Sequence, residues 1–138
     1  MNNRQKKAFD LHQKGYNCCQ AVALAFADLF EQDAETVYKI AEGFGAGMGG
    51  RNGACGALSG AILLAGLKNS DGNLEGGSTK QETYKLSDAM YTAFAEKVGS
   101  VICRDIKGMD NQDVPLCSCD DCIGIAVEIA QNILDIKE

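Results

Sequence analysis

Seven cysteines, at positions 18, 19, 55, 103, 117, 119 and 122, stand beside a single histidine, His12, in this chain of 138 residues. A thiol that loses its proton is a nucleophile, exchanges with disulfides, and ligates zinc, copper(I) or an iron–sulfur cluster. An odd number of cysteines cannot pair completely within one chain, so metal or redox chemistry is favoured over a structural disulfide framework. With one histidine, a metal site would have to be mostly thiolate. No histidine shares a motif with a cysteine or a serine, which argues against a hydrolase or acyltransferase. His12 lies on a polar segment and is expected at the surface.

The thiols fall into three kinds of setting. Cys117-Ser118-Cys119-Asp120-Asp121-Cys122 places three of them at a helix start, where the dipole and the free backbone N–H groups favour thiolate. Asp120 and Asp121 oppose ionisation but do little harm to a site holding a cation, so this group leans toward metal ligation. Cys18 and Cys19 are adjacent on a predicted helix and point about 100° apart, so one of them belongs to the core. Cys55 stands where a glycine-rich stretch, with Gly43, Gly45, Gly47, Gly49, Gly50 and Gly53, turns into an apolar run. The helix dipole, together with the absence of side chains at Gly53 and Gly56, predicts that Cys55 is exposed and the most reactive thiol. Gly56 and Gly60, four apart on that helix, imply close backbone packing or access to Cys55.

These residues need elements to hold them. Arg4 to Lys14 reads as a helix closed by Gly15, and Asn17 as the cap of a central helix from Cys18 to Phe30. Asp33 caps a third helix, to about Glu42, before the glycine stretch and the Cys55 helix. The following KNSDGNLEGGS is an exposed connection by composition and the best candidate for a mobile loop. Ser78 and Gln81 form a capping box for a fifth helix with Tyr84, Tyr91, Phe94 and Val98 at helical spacing, ending at Gly99. Cys103 sits on a short helix or turn within positions 100–107. A polar link with Pro115 leads to the last helix, through Ile123, Ala126, Ala130, Ile133 and Leu134. No segment reads as a strand. The expectation is one all-α domain over residues 1–138, a compact bundle of five to seven helices.

Other partners are excluded. A chain that is 46% hydrophobic can bury a core without disulfides. Its net charge of −6 gives no footprint for nucleic acid or an anionic membrane. The first residues are too polar for a signal peptide, and the apolar run near Ala57 to Leu67 is too short to span a bilayer, so a cytoplasmic protein without membrane insertion is expected. Gly45 to Gly50 satisfies G-x-G-x-x-G, but a helical pattern precedes it and no second strand follows, so no nucleotide is expected. No C-x-x-C-H occurs, hence no covalent haem.

Gly15-Tyr16-Asn17-Cys18 with Gln20-Ala21-Val22, then FGAGMGG with Cys55-Gly56-Ala57-Leu58-Ser59-Gly60, then Cys103-Arg104, then a cysteine before the last helix, resembles across nearly the whole chain the redox-active family named for its C-GCAxxG-C-C pattern. The resemblance implies four characteristic cysteines: Cys18, Cys55, Cys103, and either Cys119 or Cys122, with Cys119 fitting the helix register better. Cys19, Cys117 and the unchosen thiol stand outside it. It also implies genes near transporters and an electron-transfer association. The resulting expectation is that these cysteines converge from four segments. Either they ligate an iron–sulfur cluster, or less readily zinc, with Gly53 and Gly56 in a loop whose N–H groups face the sulfurs. Or they form reversible disulfides, with Cys55 as the exposed thiolate and serving an unknown redox partner. A third expectation is a metal-handling protein that accompanies a transporter and catalyses nothing. An oligomer is compatible with all three.

Overall fold

The structure, a computed structural model, describes residues 1–109 and 114–137, so positions 110–113 of the polar link before Pro115 lie outside the described residues. Among the described residues the chain is all-α. Its helices are α1 (Asn3–Gln13), α2 (Cys18–Leu24), α3 (Ala34–Glu42), α4 (Gly45–Met48), α5 (Gly56–Asn69), α6 (Lys80–Val98), α7 (Cys103–Lys107) and α8 (Cys119–Ile133). That is eight against an expected five to seven, because the five-residue α7 and α4, a single turn whose Ala46, Gly47 and Met48 have positive φ, join the six longer ones. The only extended pairing among these residues is an isolated bridge between Ala54 and Ile102.

Local signals set most helix starts. Asn2 and Gln5 form a capping box for α1, and Asn17 and Gln20 a second for α2, each Asn side chain accepting from the amide three residues on. Asp33 accepts from Thr36 N to open α3, and Ser118 from Asp121 N to open α8. Two boundaries differ from the sequence reading. The helix expected to reach Phe30 ends at Leu24, followed by a 3₁₀ turn at Ala27–Leu29. Arg4 meets the chain where the helix stops: its guanidinium donates to the Ala25 carbonyl at 3.0 Å, pairs with Asp28, and lies 5.1 Å from the centre of the Phe26 ring. The free C-terminal carbonyls of α2 thus find a partner from α1. The Ser78 capping box does not form either. Thr79 is the cap residue of α6 and gives it no side-chain bond, because its hydroxyl instead accepts from the Asp71 amide.

The core joins Val22, Phe26, Leu58, Met90, Phe94, Ile123 and Val127, all essentially without exposure. α5 lies at its centre, packed against α2, α6 and α8. Its closest approach is to α2. A methyl group at Gly60 would lie 2.8 Å from the Cys19 carbonyl oxygen and 2.9 Å from Val22 Cβ, and one at Gly56 would lie 3.3 Å from Cys18 Cβ. The paired glycines therefore serve backbone packing, and the helix tolerates their cost of roughly 1 kcal/mol each. On α6 the buried face is Met90, Phe94 and Val98, whereas Tyr84 and Tyr91, expected on the same stripe, are half exposed.

Candidate functional site: a cavity lined by six thiols

The glycine-rich stretch is a clasp. From Ala46 to Arg51 six consecutive residues have positive φ, among them Ala46, Met48 and Arg51, for which this region costs roughly 1–2 kcal/mol each. Backbone bonds hold it: Arg51 N donates to Ala46 O at 2.9 Å and Gly53 N to Gly47 O at 2.7 Å. The clasp then zips to the approach of α7. Cys55 N donates to Val101 O at 2.8 Å, Cys103 N to Gly53 O at 2.9 Å, and Arg104 N to Arg51 O at 3.0 Å. Cys55 and Cys103 are thereby brought together although 48 positions separate them. Gly47 is needed there, since a Cβ would sit 2.5 Å from Cys103 Cβ at a φ of +69°.

Four helices begin at this point, each with a cysteine at its first residue or its cap: Cys18 on α2, Cys55 on α5, Cys103 on α7 and Cys119 on α8. These four, with Cys117 and Cys122, line one cavity of about 90 Å³, whose wall also includes Gly47, Gly56, Ile106, Arg51 and Lys107. Cys19 is fully buried in the core and does not line it.

The thiols form two chains. In one, Cys122 is the hydrogen-bond partner of Cys55 and also of Cys117. In the other, Cys18 bonds Cys119, which accepts from Lys107 Nζ at 3.1 Å. Their acidities diverge. The bond from Cys122, against the opposing effect of burial, brings Cys55 down to about 7, with the first-turn amides of Ala57 and Leu58 and the charge of Lys107 acting the same way. Cys122 is pushed far up by that bond and by burial, so it keeps its proton and donates it to the Cys55 sulfur. Burial, then the charges of Cys119 and Cys55, lifts Cys18 to about 12, and burial also raises Cys103 and Cys117. Cys55 is therefore the thiol poised to ionise near neutral pH, next to a Cys122 that holds its proton.

Three expectations need correction. Cys55 is buried, at 7% exposure, because α2 and the clasp close over the bare side of α5. The clasp amides at Arg51, Asn52, Gly53 and Cys55 are taken by backbone carbonyls, so the amides that act on sulfur belong to the first turn of α5. Gly56 lines the cavity, whereas Gly53 lies outside its lining, engaged through both backbone groups. His12 is half-buried, with Nδ1 3.0 Å from an Asp120 oxygen. Cys117 and Lys107 are the chemically reactive lining residues outside those assigned to the site from sequence. Cys117 falls outside the four-cysteine pattern. Lys107 stands four positions after Cys103 on one helix, and that spacing was the available signal, since residues i and i+4 share a face. Among the described residues, no three His, Cys, Asp or Glu side chains stand as preformed ligands of one ion.

The family model described as "Putative redox-active protein (C_GCAxxG_C_C)" matches residues 16–133. The chain belongs to this family. Its capping box at Asn17 and Gln20, the clasp and the four helix-start cysteines all fall within the matched span. No curated protein and no solved structure matches the chain. No described helix is long and apolar enough to cross a membrane.

Proposed function

We propose that this protein is a thiol–disulfide redox protein whose working pair is Cys55 and Cys122. The observation that carries the reading is the placement of Cys55 and Cys122 in the wall of one small cavity at the start of α5, where the bond from Cys122 brings Cys55 down to about 7 and Cys122 is itself pushed up. A nucleophile is most effective when its pKa lies near ambient pH, and a protonated neighbour is the natural resolving thiol. Oxidation by a disulfide RS–SR proceeds by attack of the Cys55 thiolate on one sulfur, expelling RS⁻. The sulfur of Cys122 then attacks Cys55 Sγ, expelling the second RS⁻ as the Cys55–Cys122 bond forms. The proton of Cys122 and one from solvent leave with the two RSH. Redox titration of the reduced protein, with the bonds mapped by mass spectrometry, tests this: a Cys55–Cys122 disulfide is expected to be the most stable. A most stable disulfide at equilibrium that omits Cys55 sinks it.

A second reading is supported by the number of sulfurs in one wall. Soft thiolate donors suit an iron–sulfur cluster or zinc, and Cys18, Cys55, Cys103, and Cys119 or Cys122 would hold it, a cluster supplying one-electron transfer. Against that reading, among the described residues no three of these side chains stand as preformed ligands of one ion. Anaerobic purification followed by a visible spectrum and by iron, sulfide and zinc analysis separates the two. Absorption with stoichiometric iron and sulfide favours the cluster, and a colourless protein that titrates as a dithiol favours the pair.

A further inference from the structure

The Cys55–Cys122 pair is buried, Cys55 at 7% exposure and Cys122 at 1%. The cavity of about 90 Å³ is small, and Cys55 is nearly without surface. A disulfide carried on a polypeptide cannot reach it directly. Cys117 offers a way round. It lines the inner cavity and also, on its other side, an open groove of about 520 Å³ formed with Met1, Gln5, Phe9, Asp121 and Gly124. It is half-buried, and its thiol meets that of Cys122. It stands before the Ser118 cap of α8, on non-helical backbone next to the exposed Val114 and Leu116.

Resting on the dithiol reading above, we infer that Cys117 is the exchange thiol through which the buried Cys55–Cys122 pair reacts with disulfides borne on polypeptides. Cys117 attacks a disulfide RS–SR lying in the groove. One RS⁻ leaves and takes the proton that Cys117 gave up. Cys122 then attacks Cys117 Sγ, passing its own proton to the second RS⁻ and forming a Cys117–Cys122 disulfide. The Cys55 thiolate attacks Cys122 Sγ, the Cys55–Cys122 bond forms, and Cys117 is released to take a proton from solvent. Two electrons have moved from the buried pair to RS–SR, which leaves as two RSH. Cys122, which lines the inner cavity with both Cys55 and Cys117 and is the hydrogen-bond partner of each, is placed to take part in both exchanges.

The test compares two oxidants on the reduced full-length protein: hydrogen peroxide, small enough for the inner cavity, and a peptide containing one disulfide. Appearance of the Cys55–Cys122 bond is followed by quenching and mass mapping. Cys117→Ser is expected to slow oxidation by the peptide at least about tenfold and to leave oxidation by peroxide within about twofold. In Cys122→Ser the peptide is expected to accumulate on Cys117. Equal peptide rates with and without Cys117, a peptide trapped on Cys55, or an equal loss with both oxidants would each overturn the relay. If neither oxidant produces a Cys55–Cys122 bond in the unaltered protein, the dithiol reading itself fails.

Discussion

The same three helices, α2, α5 and α8, end in two different cavities. Where they begin, the wall is Cys18, Cys55, Gly56, Cys119 and Cys122, with Arg51 and Lys107 beside them. Where they finish, it is Phe26, Leu64, Leu67, Leu134 and Ile136, a hydrocarbon groove of about 120 Å³. The helices thus run alongside one another in the same sense, and the chemistry sits at the end where amides point outward and negative charge is favoured. The glycines, the left-handed clasp and the sulfurs all belong to that end. The opposite end contributes packing, and the difference predicts that function and stability can be damaged separately.

The largest expected effect is at the sulfur end. Cys55→Ser removes the thiol whose acidity is brought down to about 7, and the rate of reaction with a small disulfide that enters the cavity is expected to fall on the order of a hundredfold or more. Its unfolding midpoint in urea should stay close to that of the parent, because the hydroxyl keeps the size and position of the thiol. Retained activity, with another cysteine found in the first disulfide, would break the assignment.

Leu64→Ala makes the converse cut. Leu64 is buried and lines the groove at the far end of α5, so truncation should cost about 2–3 kcal/mol, toward the low side for a leucine because the site adjoins an open cavity. Disulfide exchange, measured well below the midpoint, should be unchanged. A matching loss of exchange would mean that the two ends of α5 are coupled, and the comparison would need to be redrawn.

How much of this was legible beforehand depends on the range of each interaction. Asn17, Asp33 and Ser118 cap helices through amides three residues away, so their helices can be found from sequence. The end of α2 cannot, since the partner of its terminal Ala25 carbonyl is Arg4, more than twenty positions earlier. Gly56 and Gly60 advertised close packing through their spacing, but their partner, the first turn of α2, appears only when the helices cross. For the site, the four helix-start cysteines stand out because each lies beside a turn or cap. That Cys122 bonds Cys55 and Lys107 bonds Cys119 depends on side chains from different helices, which no local pattern encodes. The exposed Cys55 of the sequence reading is buried for the same reason: glycine leaves room, and tertiary structure decides what fills it.

A subtler effect concerns the acidity of Cys55. The bond from Cys122 is the largest influence lowering it to about 7, while burial pulls the other way. In Cys122→Ala that donor is gone, and the first-turn amides and Lys107 remain. The pKa of Cys55 should rise toward the ordinary thiol value of 9.0, so its alkylation at pH 7 should slow severalfold and recover as pH is raised. Rates of iodoacetamide modification from pH 5.5 to 9.5, with the modified residue located by mass spectrometry, give the midpoint for both proteins. A midpoint that does not move would show that α5 and Lys107 alone set the thiolate.

The smallest effect is expected one residue away from the site. Cys19 follows Cys18 on α2, yet it is fully buried and its backbone is what Gly60 packs against. Burial, and then the charge on Cys55, lifts its thiol to about 12, so it holds its proton throughout the neutral range and offers no nucleophile. Cys19→Ala keeps the Cβ and the backbone contact and removes one sulfur from a packed interior, a loss of about 1 kcal/mol. Exchange rate, disulfide connectivity and the Cys55 midpoint should all stay as they were. Cys18→Ala is the informative companion, because it removes the partner of Cys119 and should alter the reactivity of that thiol while leaving the Cys55–Cys122 bond able to form. If Cys19→Ala abolished exchange and Cys18→Ala did not, the site would have to be rebuilt on the opposite face of α2, and the contrast between its two cysteines would reverse.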